Sequence, residues 1–542
     1  MAFPSTDWLS HILLRICAIV LLASTFSVLG HATASRALGF PLKLESHIAL
    51  NFEDETTIIR RSKFPSDFLF GASTAAPQIE GSTKGEGRGP SIWDTYMKKH
   101  KDKVIDGSNM DIAIDSYKRY KEDVEHLKNL GVDAHRFSIS WTRILPNGTL
   151  SSGVNQEGID HYNNMIDMLV EYGIKPFATL YHFDSPQALQ DKYGGVLSRS
   201  FVDDFKDYCE VCFRTFGDRV KNWITINEPL MISQLGFDLG IAPPGRCSDR
   251  ATCEAGNSST EPYIVTHNLL LAHAATARLY RDKYQAKQGG EIGISLVGQY
   301  YEPYSESLDD KAAQERALDF QLGWYMEPLV YGEYPSIMRE LVKDRLPTFT
   351  EKEKKLVKGS FDFVGINYYT SNYAKSIPID PNATSTSYTN DQFIIATVET
   401  KDGDHIGPKA EGNTNIYVYP EGLQKVLEFI EQKYQNPKIY ITENGITEER
   451  NDNRGLVEAL DDPHRIEYIQ QHLHRVHKAI KNGVNVKGYF YWSLFDSFEW
   501  LGGFTVRFGL YYIDYKDNLK RIPKLSSLWY HHFLQGDRRQ AY

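Results

Sequence analysis

The sequence predicts an α/β protein, a single (β/α)8 TIM barrel with long βα loops. Three observations carry that expectation. From residue 64 onward, strand-like apolar runs alternate with amphipathic stretches eight times. The runs are apolar almost throughout, the pattern of parallel strands covered on both faces. Two runs end in a carboxylate, in Trp223-Ile224-Thr225-Ile226-Asn227-Glu228-Pro229 and Ile439-Tyr440-Ile441-Thr442-Glu443-Asn444-Gly445. Barrels of this class place their chemistry on the C-terminal ends of their strands.

The strands are expected at 68–74, 135–140, 176–183, 223–227, 292–297, 361–368, 439–442 and 488–494. The helices between them are expected at 115–130, 158–172, 201–216, 263–284, 421–434 and 463–481. In the third helix Phe205, Cys209, Cys212, Phe213 and Phe216 share one face. That spacing makes Cys209 and Cys212 core residues rather than a redox or metal pair. In the last helix His472 and His474 fall on different faces and His477 lies nearby, far from any strand end. A solvated surface is expected there, and no metal site. An open doubly wound sheet would want a glycine-rich phosphate loop after its first strand. Gly81-Ser82-Thr83-Lys84-Gly85 has the residues but not the spacing. The polar segment 378–412 reads as a long irregular loop over one barrel face.

Residues 1–34 read as a secretory signal peptide. Arg15 precedes an apolar stretch at 16–29, and Ala32-Thr33-Ala34 has the small-x-small pattern of a cleavage site. The stretch is too short for a membrane span and is interrupted by Ser24, Thr25 and Ser27, so no membrane partner is expected after cleavage. The expected divisions are the signal, an N-terminal extension at 35–63, the barrel at 64–534 and a tail at 535–542. The C-terminus is not an endoplasmic-reticulum retention signal, which leaves the extracellular space, cell wall or vacuole. Asn147, Asn257 and Asn382 are glycosylation acceptors, and an oxidising compartment would pair Cys247 with Cys253. A net charge of −10 and a pI near 6.0 recommend no nucleic-acid partner. Monomer and homo-oligomer both stay open.

A glutamate at a strand's C-terminal end suits a pocket better than a core. Two of them suit glycoside cleavage, in which one carboxyl protonates the leaving oxygen and the other attacks the anomeric carbon. Other strand ends supply Gln78, Glu80, Arg136, His182, Asp184, Asn227, Asn367, Tyr369 and Trp492, with Glu499 and Trp500 in the loop beyond the eighth strand. A sugar presents hydroxyls in its plane and C–H groups on its faces. Its site therefore wants carboxylates and amides around the rim and an indole beneath.

These residues lie in motifs that resemble those of family 1 glycoside hydrolases, and within them the plant secreted β-glucosidases. The likeness spans 64–534 and includes Gln78-Ile79-Glu80-Gly81, Arg136-Phe137-Ser138-Ile139-Ser140-Trp141, Asn367-Tyr368-Tyr369-Thr370, Phe498-Glu499-Trp500 and Arg507-Phe508-Gly509-Leu510-Tyr511. The resemblance implies a retaining β-glucosidase acting on O-linked β-D-glucosides without cofactor or metal, with Glu228 as acid/base and Glu443 as nucleophile. It also implies that Gln78, His182, Asn227, Tyr369, Trp492, Glu499, Trp500 and Phe508 contact substrate, and that Arg136, Asn367 and Tyr369 orient Glu443. It implies the Cys247–Cys253 bridge as well. Arg136 should lower the Glu443 pKa, while burial and the Glu443 charge should raise that of Glu228. Transfer of the glycosyl group to an alcohol or phenol is the alternative chemistry, and an inactive carbohydrate-binding barrel the alternative class. The family's thioglucosidase branch lacks the acid/base glutamate that is present here. Departures from the family pattern are Pro77, Phe183, Ser497 and Asn415. Asn415 stands where many plant relatives have a tryptophan that sandwiches a flat aglycone. A wider or more polar aglycone site is therefore expected, for an oligosaccharide or a bulky terpenoid or steroid glycoside.

Overall fold

The computed structural model of the protein describes residues 59–380 and 386–536. The signal peptide, Asn382, the extension as far as residue 58 and the tail from 537 lie outside the described residues.

Eight parallel strands close into one barrel: β1 (Leu69–Ser73), β2 (Ala134–Ser138), β3 (Lys175–Tyr181), β4 (Asn222–Asn227), β5 (Glu291–Val297), β6 (Phe363–Asn367), β7 (Ile439–Asn444) and β8 (Val486–Trp492). Each pairs with its chain neighbours, and β1 pairs with β8 to close the ring. The crossover helices are α1 (Ser116–Leu130), α2 (Gln156–Glu171), α3 (Ser200–Phe216), α4 (Glu261–Tyr280), α5 (Leu308–Leu318), α6 (Trp324–Tyr331), α7 (Pro420–Lys433) and α8 (Pro463–Lys481). A last helix, α9 (Leu525–Gln535), follows β8. All eight strands fall where the apolar runs predict them, within a few residues.

The strands are apolar throughout because both of their faces are buried. Outward side chains meet the helices in one large core that includes the α3 residues Phe205, Cys209, Cys212, Phe213 and Phe216. Inward side chains at the N-terminal end form a separate plug of Ala134, Phe177, Ile224, Phe363, Tyr440 and Phe490. Phe177 meets Phe490 at 4.8 Å and Tyr440 at 5.2 Å between ring centroids. Gly71 of β1 makes room for this plug, since a Cβ there would lie 2.4 Å from the Phe490 ring.

Three sequence expectations need correction. The histidines of α8 are not all on a solvated surface. His472 is fully buried, its ring 3.8 Å from that of Tyr468, with its Nδ1 2.7 Å from the Tyr468 carbonyl. The helix buries a wider stripe than its polar residues suggest. Segment 378–412 is not structureless. Ile394–Thr397 pairs antiparallel with Ser371–Ser376, which pairs in parallel with Tyr300–Pro303, making a small sheet over the barrel rim. Further on, Ala410 N–H donates to Ile416 and Val418 N–H to Pro408, at 2.9 and 2.8 Å, forming a hairpin. The sheet joins segments far apart in sequence, and local composition carries no trace of its pairings. The helices α5 and α6 were likewise not anticipated.

The Cys247–Cys253 bridge is formed, with Cα atoms 5.6 Å apart, while Cys209 and Cys212 are buried thiols. No helix among the described residues is long and apolar enough to cross a membrane.

Candidate active site

At the C-terminal ends of the strands lies a cavity of about 300 Å³. Its walls are Gln78, His182, Phe183, Asn227, Glu228, Tyr369, Asn415, Ile416, Glu443, Trp492, Glu499, Trp500 and Phe508. Every residue expected to contact substrate is there. Arg136 and Asn367 lie beneath, fully buried and bonded to the wall.

Arg136 organises the floor. One arm of its guanidinium pairs with the Glu443 carboxylate, the other donates to Asn227 Oδ1 at 2.6 Å, and its Nε donates to Thr179 at 3.2 Å. The Tyr369 hydroxyl donates to the other Glu443 oxygen at 2.6 Å. Burial pushes the Tyr369 phenol well above its ordinary pKa, so it stays a donor. Asn367, expected to orient Glu443, makes no side-chain bond to it among the described residues: its Nδ2 donates both to Glu228, at 2.9 Å, and to Asn227 Oδ1, at 3.0 Å, while its Oδ1 accepts from Thr442 at 2.6 Å, so the carboxyl it holds is that of Glu228. With Asn227 Oδ1 taken twice, its amide nitrogen faces His182 Nε2 at 3.4 Å. His182 Nε2 is then the acceptor and the proton sits on Nδ1, which has no partner among the described residues. Burial, then the Arg136 charge, keeps His182 neutral by depressing its pKa well below the ordinary value.

The two glutamates experience this network differently. Glu443 has a guanidinium and a phenol on its two oxygens. Glu228 has one amide, and its pKa is pushed up to about 8, first by burial and then by the Glu443 charge. Glu228 also takes a left-handed backbone, φ +43°, at the turn into Pro229–Ser233. A non-glycine residue so placed stores strain, which is characteristic of functional turns. One carboxyl is thus protonated near neutral pH while its neighbour is ion-paired, the division of roles an acid and a nucleophile require.

The strands deliver these side chains through irregular register. On a regular strand Asn227 would share the outward face of Thr225, whose hydroxyl meets His273 of α4 at 2.7 Å. Pairing with β5 shifts register between Ile224 and Asn227, and Asn227 turns inward to Arg136. Pairing of β7 with β6 shifts between Ile441 and Glu443 in the same way. A bulge re-aims the side chain that follows it.

The ring of aromatics around the cavity is equally defined. The His182 ring lies parallel to those of Trp492 and Trp500, 5.9 and 6.0 Å away between centroids. Glu499 is half-buried on the same wall as Gln78 and Trp500, and burial pushes its pKa up to about 8.

Two strand-end carboxylates are not part of the site. Glu80 turns away and pairs with Arg143 at 2.5 Å and the Tyr162 hydroxyl at 2.6 Å, joining β1 to the elements after β2. Asp184 is fully buried off the cavity wall, accepts the His182 amide at 3.3 Å, and is raised to about 7 by burial. Sequence patterns cannot tell a pocket-facing strand end from one that turns into the packing behind it. Ile416 was missed as a wall residue. It reaches the rim at the end of the 408–418 hairpin and packs with Trp492 and Phe508.

Comparison with known proteins agrees with this geometry. The family model described as glycosyl hydrolase family 1 matches residues 60–538. The chain is 55% identical over 481 residues to beta-glucosidase 24 of Oryza sativa subsp. japonica, covering 88% of this chain and 95% of that one. It is 54% identical over 478 residues to the furostanol glycoside 26-O-beta-glucosidase of Hellenia speciosa, covering 88% and 84%. The crystal structure of a rice β-glucosidase, Os3BGlu6, superposes with a TM-score of 0.85 at 46% identity, covering 88% of this chain and 99% of that one. A variant of that rice enzyme has been solved in a covalent complex with Glc, with the same identity and TM-score.

Proposed function

The chain belongs to glycosyl hydrolase family 1 and is a retaining β-glucosidase of O-linked glucosides; we propose that Glu443 is its nucleophile and Glu228 its acid/base. One observation carries the assignment. Glu228, at about 8, holds a proton at neutral pH, while Glu443 on the same cavity wall is held by Arg136 and Tyr369.

In the first step a Glu443 oxygen bonds to the anomeric carbon as the bond to the aglycone oxygen breaks, and that oxygen takes the Glu228 proton. The resulting ester removes the negative charge that helps raise the Glu228 pKa. Glu228, now ionised, accepts a proton from water as the water oxygen attacks the anomeric carbon and Glu443 leaves. Two displacements return the original anomeric configuration. Arg136 and Tyr369 hold the attacking carboxylate, Asn367 holds Glu228, and Gln78, His182, Asn227, Glu499 and Trp500 bind the glycone above Trp492. Both catalytic glutamates are intact, so a binding-only barrel is not favoured; transfer to another acceptor would use the same two residues, and the similarity to β-glucosidases supports water as the acceptor instead.

The aglycone would enter past Phe183, Asn415 and Ile416. A polar amide at the rim, where a flat ring would be gripped by an indole, supports a bulky aglycone such as a steroid or terpenoid, or an oligosaccharide. The similarity to a furostanol glycoside glucosidase supports the same reading. Passage through the secretory pathway is supported by the Cys247–Cys253 bridge and by the exposed acceptors Asn147 and Asn257.

The test is hydrolysis of p-nitrophenyl β-glucoside, β-galactoside and β-fucoside, with NMR of the first-formed sugar. Wild type should release the β-anomer, and Glu443→Ala should release nothing measurable. An α-anomer as first product, or an active Glu443→Ala, would overturn the assignment.

A further inference from the structure

We propose that Ser497 is a positioning residue that sets glycone selectivity by fixing the carboxyl group of Glu499. The proposal rests on the reading of Glu499 as a sugar-binding residue.

The segment Asp496-Ser497-Phe498-Glu499-Trp500 follows β8, and its backbone is clamped on both sides of Ser497. Asp496, fully buried, pairs with Lys524 at 3.0 Å and Arg507 at 2.5 Å, and accepts the amides of Gly509 and Ile513. Phe498 and Gln78 bond reciprocally. The Phe498 amide donates to the Gln78 carbonyl at 3.2 Å, and Gln78 Nε2 donates to the Phe498 carbonyl at 2.9 Å. Ser497 therefore has almost no freedom of position, and it is 1% exposed. Its hydroxyl donates to Glu499 Oε1 at 2.8 Å.

This bond acts together with a side-chain hydrogen bond from Gln78 to orient Glu499. It is half-buried with its pKa raised, first by burial, and among the described residues no arginine or lysine pairs with it. A carboxyl with one oxygen engaged by a fixed donor can turn about its last bond only by breaking that bond. Gln78 beside it is fixed by the same clamp, and its Oε1 is buried without a partner among the described residues. Ser497 thus holds the angle at which Glu499 and Gln78 jointly meet sugar hydroxyls. Glucose and galactose differ only in whether the 4-hydroxyl is equatorial or axial, so a carboxyl free to rotate would discriminate between them less well.

The experiment compares kcat/KM for p-nitrophenyl β-glucoside and β-galactoside in wild type, Ser497→Ala and Glu499→Gln. Ser497→Cys, close to isosteric and a weak donor, is the second variant should alanine disturb folding. Both Ser497 variants are expected to change the glucoside-to-galactoside ratio about tenfold, mainly through KM, with unchanged melting temperature. A purely structural role would lower both substrates equally. A ratio within twofold of wild type in both Ser497 variants, while Glu499→Gln changes it, would overturn the role of Ser497 alone. An unchanged ratio in Glu499→Gln would overturn the reading of Glu499, and the proposal with it.

Discussion

The two ends of the barrel interior are built from the same strands and buried to the same degree, yet they are opposites. Deeper in the barrel β3, β6, β7 and β8 contribute Phe177, Phe363, Tyr440 and Phe490 to a ring-on-ring plug. Four residues or fewer further along, they contribute Thr179, Asn367, Glu443 and Trp492 to the site. Burying the plug is favourable in itself. Burying the polar end is costly and is tolerated because each group answers another: Arg136 with Glu443, Asn227 with Arg136 and Asn367, Asn367 with Thr442. The difference teaches a division of labour within one strand. Stability is carried at the N-terminal end, which leaves the other end free to hold a carboxyl far from its ordinary pKa.

Removing the nucleophile at the polar end should have the largest effect. Glu443→Ala is expected to lower kcat by about 10⁴-fold or more, read with p-nitrophenyl β-glucoside. Residual activity above a hundredth of wild type would place the nucleophile elsewhere.

Phe490→Ala attacks the opposite end. It should cost about 3–5 kcal/mol of stability, as a large buried ring does, in denaturant titration. kcat/KM of the folded fraction should stay within about tenfold of wild type. Equal loss of chemistry would show that the ends are not separable.

Glu228→Gln joins the two currencies. Activity on glucosides with poor leaving groups should fall by about 10²–10⁴-fold, and less with p-nitrophenol. The wild-type profile should lose activity as pH rises through about 8, where Glu228 gives up its proton. The stability sign follows from the same shift. A carboxyl raised from 4.5 to about 8 on folding is protonated in both states at low pH. Its favourable contribution is lost as pH rises from 4.5 and is gone above 8. The glutamine variant does not titrate and should gain on wild type across that window, by at most about 5 kcal/mol. Melting curves at pH 4.5 and 8.5 read this directly, and a gap that does not widen with pH would refute it.

Asn415→Trp is the smallest change, since it touches the rim alone. It should shift selectivity by about tenfold, roughly 1.4 kcal/mol, toward flat aryl glucosides and away from a steroidal glucoside. An unchanged preference would remove Asn415 from aglycone selection.

Much of this was legible in the chain because the relevant signals are local. Apolar runs placed the eight strands, helical spacing made Cys209 and Cys212 core residues, and strand-end position singled out Glu228 and Glu443. What sequence missed depends on contacts across long separations. Glu80 has the same strand-end credentials as Gln78, but Arg143 and Tyr162 draw it out of the site. Ile416 reaches the cavity only because its hairpin is pinned to Thr370 and Thr447, beyond the ends of β6 and β7.

The sequence by itself determined the barrel, the pocket's end of it and the kinds of side chain that line it. Backbone periodicity and burial are properties of neighbouring residues, so they can be read along the chain. Only the tertiary structure decided which carboxyl is protonated, which strand ends turn inward and how Glu499 is held. Those outcomes depend on burial, register shifts and charges brought together from residues up to several hundred positions apart, and they take their values only when the barrel closes.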